Sequence, residues 1–131
     1  MQTEKPSQKA VTAALKVMER RLSALNEQNP TTLAATLHFP HFRLVGTSFK
    51  IWETADTYFD DFKARAGKHW AYTKLASITP ISASGNKVHL DVQMNRFDAQ
   101  DQLSANFKSV WVITEINGRW AAQLRSSVAP A

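Results

Sequence analysis

The chain has no cysteine among its 131 residues, which excludes disulfides and thiolate metal sites. It has no stretch approaching the roughly 18 apolar residues that a membrane-spanning helix requires, so no membrane partner is expected. Met1 to Lys9 is polar and lacks the apolar centre of a signal peptide, which points to a cytoplasmic protein. Acid is missing from one long interval: no Asp or Glu occurs between Glu27 and Glu53. No repeat, low-complexity tract or linker interrupts the sequence. The expected organisation is a flexible segment over 1–8 and a single domain over 9–131.

What is present fits an ordinary globular class, with 44% apolar and 21% charged residues. A chain of this size buries roughly two-thirds of its unfolded surface, enough for an unstapled core. The net charge is +5. Its lysines and arginines are scattered, the Arg20-Arg21 pair falls on a helix, and aromatic residues do not interleave with them. That pattern reads as a solvated basic surface and not as a nucleic-acid face.

Val11, Leu15, Met18, Leu22 and Leu25 recur at helical spacing and predict an amphipathic helix over 9–28. Asn29-Pro30 then supplies a cap and a first-turn proline for a short helix ending near His38, since Pro40 disfavours helical geometry at Phe39. Phe42–Val45 and Phe49–Trp52 flank Gly46-Thr47-Ser48 and predict a hairpin. Thr54 is the expected cap of a third helix, whose Ala55, Phe59, Phe62 and Ala66 share a face and which Gly67 terminates. Four long strands follow near 70–83, 87–97, 103–115 and 119–128. Their turns fall at Ser84-Gly85-Asn86, Asp98–Asp101 and Asn117-Gly118, the last a strong hairpin signal. In the second of them Val88, Leu90, Val92 and Met94 alternate with His89, Asp91, Gln93 and Asn95, giving one apolar and one polar face. Long twisted strands curl, and three helix faces are available to fill the concave side.

This order of elements resembles the nuclear-transport-factor-2-like (NTF2-like) superfamily, also called SnoaL-like or cystatin-like, from about Lys9 to Val128. Three stretches carry the resemblance: Ala24–Asn29, Leu37–Arg43, and Asn117–Trp120 continuing to Arg125-Ser126-Ser127. The second and third are also similar to a bacterial subgroup without an assigned activity. The resemblance implies an α+β cone, with three N-terminal helices packed in a curved mixed or antiparallel sheet, a cystatin-like roll. It further implies a small-molecule pocket at the open end and homodimers formed through the sheet. The superfamily holds isomerases, cyclases, dehydratases, hydrolases and binding domains, so fold alone does not fix function.

In its isomerases and cyclases an acid or base follows the second helix, and here that region carries His38 and His41 instead. Either is a candidate general base, or a local structural hydrogen bonder. Arg96 continues the inward alternation of Met94, so it needs an acid, carbonyls, water or an anionic ligand. Ser109, between Phe107 and Trp111, either marks cavity space or relieves crowding. Tyr58, Trp70, Met94 and Trp111 complete the candidate ligand-binding set. Arg125 faces outward by alternation, unless a bulge reverses it. No metal site and no cofactor is implied. Three readings stand: a cone binding a small, largely apolar ligand; a lyase, isomerase or hydrolase with a histidine base and Arg96 as oxyanion partner; or a dimerisation scaffold with a filled cone.

Overall fold

The computed structural model describes residues 5–128, so of the expected flexible segment residues 1–4 lie outside the described residues. Helix α1 spans Pro6–Asn26, beginning earlier than the apolar spacing suggested. Proline suits the first helical turn, and the Lys5 N–H donates to Gln8 Oε1 at 3.2 Å. Met18 and Leu25 are buried as the spacing predicts, and Ala10, Ala14, Val17, Arg21 and Ala24 widen the buried face, while Leu15 and Leu22 at its edge are half-buried toward Leu75 and Ile78. Small alanines let the sheet approach the helix closely there.

Asn29 caps α2 (Pro30–Ala34), accepting from the amides of Thr31 and Thr32 at 3.1 and 3.2 Å. The helix ends well before His38, because the sheet captures the chain first. Thr36 O accepts from Ala122 N at 2.9 Å, and β1 (Leu37–Val45) pairs in parallel from Leu37 with β6 (Arg119–Ser127). Both histidines therefore lie on a strand. A two-residue turn, Gly46-Thr47, joins Val45 to Ser48 of β2 (Ser48–Trp52), with Gly46 at φ +55.

Helix α3 covers Tyr58–Ala66 and starts after Thr57, not after Thr54. Thr54 Oγ1 accepts from Asp56 N at 3.4 Å within the preceding bend, and Ala55 is exposed. Phe59 and Phe62 are buried as the spacing predicts, and Gly67 ends the helix at φ +86. Strands β3 (Tyr72–Ala83), β4 (Lys87–Phe97) and β5 (Leu103–Ile116) complete the meander with β6. Asn117 and Gly118 both adopt positive φ, as the tight turn before β6 requires.

The six strands form one mixed sheet in the order β2-β1-β6-β5-β4-β3. Helix α1 lies against β3, β4, β5 and β6. Val88, Leu90 and Val92 point into this contact and are at most 1% exposed, together with Trp111 and Ile113. A clip fixes the end of α1: Asn26 Nδ2 donates to Thr73 O, and Thr73 N donates to Asn26 Oδ1, both at 2.8 Å. Asn26 thereby stands in for a neighbouring strand at the buried Thr73 of edge strand β3. Among the described residues no helix is long and apolar enough to cross a membrane.

Candidate functional site

A register shift in β6 decides what faces inward. Val112 pairs with Leu124 but Ile113 pairs with Ala122, so Gln123 is an extra residue on its strand. Such a bulge reverses the alternation beyond it. Arg125 and Ser127 consequently share the concave face with Ala122, and Arg125 is 3% exposed. The outward direction expected from simple alternation does not hold.

Arg125 joins four other arginines. Arg96 extends the inward row of β4 as expected, and Arg43 shares a strand face with His41 on β1. Arg21 occupies the buried face of α1, and Arg65 follows Phe62 by one turn on α3. Aromatic rings are threaded between the guanidiniums. Arg21 Cζ lies 4.5 Å from the Trp111 ring centre and 5.6 Å from that of Tyr58. Arg125 lies 5.7 Å from Trp111 and 5.3 Å from Phe107. Arg96 follows at 4.5 Å from Phe107 and 5.3 Å from Phe62, and Arg65 at 5.8 Å from Phe62 and 5.7 Å from Trp52. The result is a continuous alternation of cation and ring across the concave side.

Among the described residues no acid forms an ion pair with these arginines, although Asp61 feels the Arg65 charge. Among the described residues the salt bridge is Lys63–Asp60 at 3.7 Å, on the surface of α3. Asp61, the acid beside the cluster, accepts instead from Trp52 Nε1 at 2.8 Å and Thr57 Oγ1 at 3.1 Å. Burial pulls the Arg65 and Arg96 guanidiniums down to about 10 and Arg125 to about 9, and repulsion from neighbouring arginines adds to it. Burial lowers Arg43 as well. At these values Arg65, Arg96 and Arg125 remain cationic at neutral pH.

The hydrogen-bonding account is equally one-sided. Arg125 Nε is steered by two buried hydroxyls, donating to Ser109 Oγ at 3.3 Å and Ser127 Oγ at 3.4 Å. Eight buried side-chain atoms among the described residues have no partner. They are Arg21 Nη1, Arg43 Nε, Nε and Nη2 of both Arg65 and Arg96, Arg125 Nη2 and Trp111 Nε1. Every one is a donor, and all belong to the cluster. A buried polar group without a partner costs roughly 1–3 kcal/mol, more when charged. In charge and in hydrogen-bonding sense these donors are complementary to an oxyanion.

The residues anticipated from sequence divide around this cluster. Arg96, Ser109, Trp111 and Tyr58 belong to it. Met94 is packed in the apolar core beside it. Trp70 sits edge-on to Phe62 at 5.1 Å, with Nε1 donating to Thr73 Oγ1 at 2.9 Å. His41 is buried between Trp52, Tyr58 and Trp111, and its Nδ1–H donates to Ala122 O at 3.1 Å. Burial, then the Arg21 charge, lowers it to about 3, so the ring is neutral. His38 leaves the other face of β1: Nε2–H donates to Thr114 O at 2.9 Å and Nδ1 accepts from Arg119 Nη2 at 3.1 Å.

Arg21, Arg43 and Arg65 were not among the anticipated residues. A basic residue on an apolar helix stripe, at four-residue steps from Val17 and Leu25, was the available signal for Arg21. The expectation of a solvated basic surface is corrected for these three residues. Among the described residues no three His, Cys, Asp or Glu side chains gather as a metal site, and five cations would repel a metal ion. Surface grooves lie elsewhere. One of about 610 Å³ runs along the solvent side of α1 past Lys16, Glu19, Arg20 and Ser23. Another of about 530 Å³ crosses the convex sheet face between Phe42, Val112 and Leu124.

No protein-family model and no curated protein matches the chain. Solved structures do. A protein of unknown function with a cystatin-like fold from Nostoc punctiforme aligns at TM-score 0.74 and 11% identity, covering 95% of this chain and 93% of its own. An NTF2-like protein of unknown function from Pseudomonas putida aligns at TM-score 0.74 and 14% identity, covering 95% and 89%. One from Shewanella oneidensis aligns at 0.71 and 11%, covering 90% and 98%. The chain has the NTF2-like, cystatin-like fold. Within that NTF2-like frame the sheet supplies Arg43, Arg96 and Arg125, while the helices supply Arg21 and Arg65. Identities this low carry the fold and leave the chemistry to the residues themselves.

Proposed function

We propose that this protein binds a small anionic ligand on the concave side of its sheet, held by Arg21, Arg43, Arg65, Arg96 and Arg125. One observation carries the reading: among the described residues the orphaned buried side-chain atoms are all donors of a single cluster, whose neighbouring acid, Asp61, is engaged by Trp52 and Thr57. A fold has no stability reason to collect uncompensated cations, since each charge removed from water costs several kcal/mol. A scaffold with a filled cone would have used apolar side chains there. Arg43 and Arg65 are half-buried and form the solvent side of the cluster, where an anion would enter.

A largely apolar ligand suits the site less well, because the faces of Phe62, Phe107 and Trp111 already carry guanidiniums. Neither histidine suits general base catalysis. His38 has both ring nitrogens engaged, and His41 binds a proton too weakly at about 3. Binding without a catalytic step is the simpler reading.

The test is a melting series at constant ionic strength, with sodium chloride replaced stepwise by acetate, malonate and sulfate. At least one anion is expected to raise Tm in a saturable way, and Arg96→Met should abolish the rise. A flat series, or a rise unchanged in Arg96→Met, would remove the reading.

The convex face, we propose, pairs two copies of the chain. Phe42 with Ile51 and Leu44 with Phe49 form adjacent cross-strand pairs, continued by Leu124 and Val112 on β6 and β5. Phe49 is 56% exposed, and its ring stacks on Phe42 at 6.0 Å. Such a stripe supports an isologous sheet-to-sheet contact.

A further inference from the structure

We infer that the ligand of the arginine cluster is a compact oxyanion carrying at least two negative charges, of the sulfate, phosphate or short dicarboxylate kind. The inference rests on the anion-binding reading above and narrows it by counting donors and charge.

An ionised carboxylate offers about four lone-pair sites. The cluster holds eight partnerless donor atoms, spread over Arg21, Arg43, Arg65, Arg96, Arg125 and Trp111. One carboxylate leaves half of them unmet, whereas a tetrahedral oxyanion or two carboxylates offer as many acceptor sites as there are donors. Charge points the same way. A monoanion among five guanidiniums leaves four buried or half-buried cations repelling one another, and each further ligand charge relieves more of that repulsion.

The distribution of burial adds a direction. Arg21, Arg96 and Arg125 are each 3% exposed, while Arg43 and Arg65 are half-buried. A deep trio and an outer pair match a ligand with charge at both ends, or one compact multivalent group drawn in between them. Compactness follows from the filling of the concave side: Trp111 is 1% exposed, and Tyr58 and Phe62 are also buried. The two serines hold Arg125 Nε while its Nη2 stays without a partner, so they are positioning residues for the deep end.

Titration calorimetry of the wild-type protein at fixed ionic strength and pH 8 decides the matter, with acetate, malonate, sulfate and phosphate as probes. Malonate or the tetrahedral anions are expected to bind at least tenfold more tightly than acetate. Preference for malonate assigns two carboxylates, and preference for sulfate and phosphate assigns one tetrahedral group. Arg125→Met is expected to reduce the preferred probe's affinity at least tenfold and to narrow its advantage over acetate. Acetate binding as tightly as every dianion would overturn this inference while leaving the anion site standing. No binding by any of the four would remove both. The wild-type comparison stands whether or not the variant folds.

Discussion

Arg125 lies directly across the β5–β6 ladder from Trp111, with its guanidinium carbon 5.7 Å from the indole ring. That pairing exists because Gln123 is bulged out one step earlier on β6. The same indole receives Arg21 from α1 on its other contact, at 4.5 Å. A helix and a strand distant in sequence thus deliver two cations to one ring, without any acid between them.

Replacing Arg125 or Arg96 with Met should stabilise the ligand-free protein by about 1–3 kcal/mol. The removed desolvation cost of several kcal/mol per ion outweighs lost cation–π contacts of about 0.5–2 kcal/mol each. Chemical denaturation in an anion-poor buffer measures this. A loss of stability on either substitution would mark the cluster as structural.

His41 should make the fold acid-sensitive. An unfolded imidazole takes a proton near pH 6.5, whereas the buried ring does so only at about 3. Between those values the unfolded chain binds the extra proton. Stability is therefore full above 6.5 and declines as pH falls toward 3, by at most about 1.4 kcal/mol per pH unit from this group. His41→Gln, which can still donate to Ala122 O, should flatten the pH profile between 6.5 and 4.5. Identical slopes in the two proteins would dismiss His41 as the cause.

Asn26→Ala should cost about 2–4 kcal/mol, since it strands both backbone groups of Thr73, which is 1% exposed. Asn26 lies outside the arginine cluster, so anion affinity should persist in the folded variant. A cost below about 0.5 kcal/mol in urea titration would show that water replaces the amide.

Sedimentation should find a dimer in the wild type and a monomer in Phe49→Asp with an unchanged circular dichroism spectrum. The substituted position is 56% exposed, so the monomer has no reason to unfold. A monomeric wild type, or a dimeric variant, would disprove pairing through this face.

Periodicity in the sequence was sufficient for the helices, the strands and most turns, because each is set by neighbours a few residues away. Alternation in β4 gave the inward faces of Val88, Leu90, Val92 and Arg96, and Asn117-Gly118 gave the last hairpin. Local propensity misplaced the end of α2, where parallel pairing of Leu37 with Ala122 overrides a continuing helix. It also missed the alanines and Arg21 that widen the buried stripe of α1 beyond Met18 and Leu25.

The site was legible only in part. Arg96, Ser109, Trp111 and Tyr58 could be picked out one at a time, from alternation or aromatic character. That five arginines from α1, α3, β1, β4 and β6 meet without an ion-paired carboxylate among the described residues is a property of tertiary contact alone. Sequence spacing reports direction within one element, and a bulge at Gln123 is enough to reverse it. Whether a charge has a partner depends on elements dozens of residues away, so only the folded chain decided that these cations stand together and uncompensated.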